Sequence, residues 1–260
     1  MPGTIVHLVV GERVFARSEW LARSREGYGA FLLGCVLVDV NHFSKARRRE
    51  THFLAPGEGR RAFENSCSRF RSELDAILLH PWQAFSGLER AFVAGYLCHL
   101  ATDEIWKAHM RSNMQRLGLR SKSDLPVPSS VLATAHSYAC GLLFKDYEEV
   151  RAALQVAEIP NVLSNVKQKW LRRMWRQVRP YSLNAQRRFA YVEMLAQSGL
   201  PEDESAGMRD EQMRHWKAAL AFLDESGSVE PFLVAASKRS GNELRELESP
   251  AGSGGAPAQL

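Results

Sequence analysis

The stretch Cys98-His99-Leu100-Ala101-Thr102-Asp103-Glu104-Ile105-Trp106-Lys107-Ala108-His109 sets two imidazoles and a carboxylate inside an otherwise apolar helical pattern. It reads as one wall of a metal site. A helix turns about 100° per residue, so His99 and Asp103 stand on one face a single turn apart, as two ligands of one ion do. His109 points roughly 120° round the helix from Asp103 and about 9 Å further along its axis, which suits a second ion better than the first.

The remaining pattern is of the same kind. Apolar residues recur every three to four positions, Ala, Leu, Arg, Glu and Met dominate, and alternating strand-like stretches are scarce, so the expected fold class is all-α. Helices are expected over 4–12, opened by a Thr4 cap, and over 29–40, 60–79 and 87–117, the last stopped by Gly118. More follow from Ser129 or Ser130 to Phe144, then over 147–157, 162–178, 183–197 and 211–225. With 260 residues, 45% apolar and 24% charged, the chain suits one compact domain over 1–248. The Pro, Gly, Ser and Ala of 249–260 bury too little to offset their ordering entropy and are expected to form a disordered tail. No internal repeat or heptad seam is present.

Several classes of protein are disfavoured. The longest apolar run, Ala30 to Val38, is about half of what crosses a bilayer and ends on Asp39, so no transmembrane segment is expected. Met1 to His7 lacks the order of a secretory signal, which points to the cytoplasm. The cysteines Cys35, Cys67, Cys98 and Cys140 are widely spread, and reduced thiols are expected there. A formal charge of +5 favours anionic surfaces only modestly.

Four further segments carry ligand chemistry. His7 lies in an apolar run, where a hydrogen-bonded core histidine is the plain alternative. Asp39 closes the apolar segment Phe31 to Val38, with a helix-end hydrogen bond as its plain alternative. His52 follows the basic run Arg47-Arg48-Arg49, and His42 competes with it as the partner of Asp39. His136 and Cys140 share a helix face at i, i+4, a good zinc pair, although a buried Cys is commonly packing. Imidazoles, bridging aspartates and apolar walls together are what a multinuclear zinc hydrolase needs. Separately, Lys167 to Arg179 is a basic helix with Trp170 and Trp175. It is either a solvated face over a buried Trp or a docking face for anionic lipid, with nucleic acid less favoured. Lys238-Arg239 and His215-Trp216 are read as surface and packing.

In order and spacing the chain resembles the zinc-dependent phospholipase C family, which shares its architecture with single-strand zinc nucleases. The matching motifs are Thr-x-x-His at His7, Gly-x-x-x-x-Asp at Gly34 to Asp39, Thr-His-Phe at His52, His-x-x-x-Asp-x-x-Trp followed by His109, and Ala-His-Ser at His136. They cover roughly residues 1–150. The resemblance implies a multi-helix domain with a metal cleft between helices and two or three Zn2+ ions. Asp39, His52, His99 and Asp103 would hold one ion, and Asp103 would bridge to a second on His7. His109 and His136 would hold a third, where Cys140 replaces the family's carboxylate. The implied reaction is hydrolysis of a phospholipid or other phosphodiester by metal-activated water, with Asp39 or Asp103 accepting the proton. The alternatives are a zinc nuclease or phosphatase, and a non-catalytic metal-binding or interaction protein on the same scaffold.

Overall fold

The architecture follows from how one long helix is covered. In the computed structural model the described residues are 3–22, 25–42, 44, 47–54, 64–121, 124–184, 202–227 and 229–248, and among them every regular element is helical. The helices are α1 (Thr4–Phe15), α2 (Glu19–Ala22), α3 (Arg25–Leu37), α4 (Arg48–Thr51), α5 (Ser66–Ser72), α6 (Leu74–Ile77), α7 (Gly87–Arg116), α8 (Ser129–Gly141), α9 (Tyr147–Val156), α10 (Gln168–Ser182), α11 (Glu202–Ser226) and α12 (Val229–Glu248). Short 3-10 turns occupy Val38–His42 and Trp82–Ala84. None of the described helices is long and apolar enough to cross a membrane.

α7 is the axis of the fold. It opens on a capping box, with Ser86 accepting from the Glu89 amide and Glu89 accepting from the Ser86 amide, and Gly118 follows its end at φ 70°. α3 packs along one side of it and α12 along another, while α1 lies across α3, α8 and α12. The α3–α7 crossing is unusually close. A Cβ on Gly95 would stand 1.9 Å from the Phe31 carbonyl oxygen, and one on Gly34 would stand 2.1 Å from that of Phe92. Only glycine fits at either position, and the two backbones touch there. α11 packs on α8 through a separate apolar cluster that includes Val131, Ala135, Trp216 and Ala219.

Buried charge ties the elements together at two places. Glu12 of α1 accepts the backbone amides of Lys145 and Asp146 at 2.7–3.1 Å, so its carboxylate caps the positive end of α9. On the far side of α7, Glu104 accepts from Ser66 Oγ and the Cys67 amide and pairs with Arg239, which also pairs with the fully buried Glu243. Arg71 pairs with Glu243 as well. Arg239 is therefore a structural cation rather than the surface residue expected.

Several boundaries differ from expectation. Thr4 is the first helical residue rather than the cap, which is Gly3, and α1 runs on to Phe15. The 29–40 helix ends at Leu37, and Asp39 lies in the following 3-10 turn. The 60–79 segment is two short helices broken at Glu73, with 60–63 outside the described residues. Pro128, not a serine, stands at the cap position of α8. Residues 162–166 are not helical: Leu163 bridges to Leu78, the Leu79 amide donates to the Val162 carbonyl, and α10 starts later, at Gln168. α11 starts earlier than 211, and α12 was not expected at all. Most of the 183–197 helix and the 249–260 tail lie outside the described residues.

Candidate metal centre

Three chain segments deliver nitrogens to one carboxylate. His7 comes from the first turn of α1, His99 and Asp103 come from successive turns of α7, and His52 follows α4 directly. His7 Nε2 lies 3.7 Å from Asp103 Oδ1, while His52 Nε2 and His99 Nε2 lie 3.6 and 4.0 Å from Asp103 Oδ2. The turn after α3 brings Asp39, whose Oδ1 lies 3.2 Å from His52 Nε2. His7, His52, His99 and Asp103 are buried, and only Asp39, with its side chain 17% exposed, reaches toward solvent.

The close α3–α7 crossing sets the aim of His99. Four residues after Gly95, its Nδ1 lies 2.7 Å from the Cys35 carbonyl oxygen, which can only accept, so Nδ1 carries the proton and Nε2 presents its lone pair. His52 Nδ1 lies 2.9 Å from Thr51 Oγ1, and that hydroxyl is itself 3.2 Å from the Arg48 carbonyl it can donate to. Thr51 is held in turn from its own carbonyl, which accepts the hydroxyl of Tyr96, a ring stacked on Phe70. These outer partners are the kind that orient metal-binding imidazoles. The rings of His7 and His99 stack in parallel, with centroids 3.8 Å apart and planes at 7°.

The electrostatics suit a cation. Burial and the neighbouring imidazole of His99 push His7 well below the ordinary histidine range, and burial also lowers His99, against the pull of Asp39 and Asp103. Both rings are therefore neutral at pH 7, as ligands must be. Burial also opposes the charge on Asp39, but the close approach of His52 and the attraction of the His99 and His7 imidazoles overcome it and hold the carboxyl well below its usual range. Asp103 is pushed up to about 6 by burial, against the attraction of His99 and with the repulsion of Asp39. Neither oxygen of Asp103, neither nitrogen of His7 and not Nε2 of His99 has a hydrogen-bond partner.

The donors could hold a metal ion, and imidazole nitrogen with carboxylate oxygen is a ligand set that zinc takes. Nitrogen and oxygen ligands at about 2.0–2.2 Å from a tetrahedral ion stand about 3.3–3.5 Å from one another. His7, His99 and Asp103 form one group whose donor atoms lie within 4.8 Å of each other, and Asp39, His52 and His99 form a second. His99 belongs to both. His7 therefore keeps company with His99 as well as with Asp103, where the resemblance had assigned it to a different ion from His99.

The remaining candidates gather elsewhere. His136 Nδ1 lies 3.5 Å from Cys140 Sγ, so the i, i+4 pair is in contact, and His136 packs edge-on to Trp106 and Phe232. His109 packs on the same Phe232, but its Nε2 lies 2.9 Å from Asn113 Nδ2. Burial raises the Cys140 thiol far above its usual range and lowers His136 to about 3, a neutral apolar environment. None of these three residues enters a three-donor group among the described residues. The side chain of His42 lies outside what is described, and His52 is the histidine found against Asp39.

Arg48, within the basic run 47–49, also faces the site. Its Nη2 reaches 3.7 Å from Asp103 Oδ2, with the side chain 30% exposed. The only signal in the sequence is its place four residues, about one helical turn, before His52. No family model, no curated protein and no solved structure matches this chain.

Proposed function

We propose that this chain is a zinc-dependent phosphodiester hydrolase of the phospholipase C kind, acting on a phospholipid or a related phosphodiester. One observation carries the reading: three imidazole nitrogens from separate segments converge on the buried carboxylate of Asp103, whose oxygens accept no hydrogen bond. His7, Asp39, His52, His99 and Asp103 would hold one or two ions, with His99 common to both groups. Zinc bound there supplies a Lewis acid and lowers the pKa of water toward neutrality. Asp39, the carboxylate at the exposed edge, is placed to accept a proton at the oxygen not engaged with His52. Arg48 enters from the same edge and offers a guanidinium to an anionic phosphoester.

A second reading has an observation of its own. His7, His99 and Asp103 are almost wholly buried, as the ligands of a closed structural ion are, so the chain would then be a non-catalytic metal-binding protein. Metal analysis combined with hydrolysis of bis-nitrophenyl phosphate, a chromogenic phosphocholine ester and single-stranded DNA separates the two. The hydrolase binds zinc and cleaves one of these substrates, and Asp103→Asn loses both the bound zinc and the cleavage. Zinc bound without turnover of any substrate selects the structural reading, and full activity in Asp103→Asn rules out the proposed centre.

A further inference from the structure

The cationic face of α10 is unused by the metal centre. From Ile159 to Asn184 the chain carries six Lys and Arg and no Asp or Glu. At about 100° per residue, Lys169, Arg172, Arg173, Arg176 and Arg179 fall within an arc of about 120°, opposite the buried Leu171, Met174, Trp175, Val178 and Tyr181. All five cations are exposed. Burial of Trp175 explains the apolar face but leaves an exposed arc of five like charges, whose mutual repulsion opposes folding and requires a separate reason.

We propose that this face docks the protein on an anionic lipid surface. Two apolar features border it. Trp170 is half-buried at the edge of the arc, with Lys169 and Arg173 held over its ring at 5.3 and 5.7 Å from the centroid. Val156, at the end of α9, is 81% exposed, and it adjoins Gln155, whose carbonyl accepts from Arg179. Basic side chains beside an indole and an exposed aliphatic suit the boundary between headgroups and acyl chains. Single-stranded nucleic acid asks for aromatic faces open to stacking bases, and the ring of Trp170 is already engaged by two cations. The acids nearby are few: Glu148 pairs with Arg151, Glu149 lies in the first turn of α9, and Glu158 follows that helix. α10 also packs against the 3-10 turn that carries Asp39, so docking would bring the exposed edge of the metal centre near the surface.

The test is co-sedimentation of the full chain with vesicles, in the presence of a chelator so that the result is independent of the metal centre. Vesicles of phosphatidylcholine with phosphatidylserine are expected to pull down the protein, and pure phosphatidylcholine is not. Raising the salt to about 0.5 M releases it, since the Debye length falls to a few ångströms. Replacing Arg172 and Arg176 with Gln together weakens binding by about 25-fold, at roughly fivefold for each cation lost from an anionic surface. Circular dichroism of the double variant checks that the helix persists. Binding indifferent to lipid charge, no binding to either vesicle, an unchanged affinity in a folded double variant, or a single-stranded oligonucleotide that binds more tightly than the anionic vesicles would each overturn the proposal.

Discussion

Asp103 meets two competing kinds of cation. The Arg48 guanidinium lies 3.7 Å from one of its oxygens, and three imidazole nitrogens stand ready to share a metal with it. A fixed positive charge this close repels an incoming dication and occupies the carboxylate that the dication needs. Arg48→Gln is therefore expected to tighten zinc binding severalfold in a competition titration against a chelator. The same change weakens binding of inorganic phosphate to the zinc-loaded protein, because the guanidinium facing solvent is lost. Opposite signs in the two titrations would show that Arg48 serves the anion and not the metal; weakened binding of both would make it a support of the fold. The sequence named His7, Asp39, His52, His99 and Asp103 because each carries metal-binding chemistry against an apolar background. Arg48 was hidden because a run of three arginines reads as solvated surface, and nothing in spacing says which of them turns inward.

At the scale of elements, the candidate metal centre depends on how closely α3 and α7 cross. Gly34 and Gly95 let the helix backbones touch, and that contact sets Cys35 O within reach of His99 Nδ1. Gly95→Ala would drive a methyl group into the Phe31 carbonyl, a backbone atom that cannot swing away as a side chain does. The helices must part, at a cost of about 3 kcal/mol, the upper end of ordinary overpacking. Thermal melting is expected to show that loss. Zinc titration is expected to show weaker binding as His99 loses its orienting carbonyl, whereas a stability loss with unchanged zinc affinity would uncouple the crossing from the site. The sequence showed most of the helices, because a period of three to four is strong wherever one face is buried. It missed α12, although Phe232, Leu233, Ala236, Ser240, Leu244 and Leu247 recur at helical spacing on its buried side. Two serines and Glu243 share that buried face and dilute the apolar signal, and one of the two cations that compensate Glu243, Arg71, comes from a distant position, while the other, Arg239, stands one turn earlier on the same helix. The 162–166 stretch went wrong for the converse reason. Its apolar residues have helical spacing, but they are held by a bridge to Leu78 that no local pattern contains.

For the molecule as a whole, the buried titratable groups set a pH dependence whose sign metal binding should strengthen. His7, His99 and His136 all have pKa values in the folded state below the ordinary value, chiefly through burial. Such groups contribute stability that is present above the unfolded pKa of about 6.5 and is lost as pH falls toward their folded values. Asp39, held low by His52 and the other imidazoles after burial is overcome, adds a loss of the same sign at lower pH. Asp103 acts the other way. Its folded value of about 6 lies above the unfolded one, so its contribution is complete below about pH 4 and disappears as pH rises through 6. Three imidazoles oppose one carboxyl between pH 7 and 5, so the metal-free protein is expected to melt at lower temperature at pH 5 than at pH 7.5. Zinc binds only the deprotonated ligands, so at a concentration of 100 times its Kd it would add about 2.7 kcal/mol at pH 7.5 and little at pH 5. Melting curves at both pH values, with zinc and with chelator, measure all four states. A zinc-dependent rise in melting temperature that is equal at the two pH values would mean that the metal binds somewhere other than this histidine and aspartate cluster.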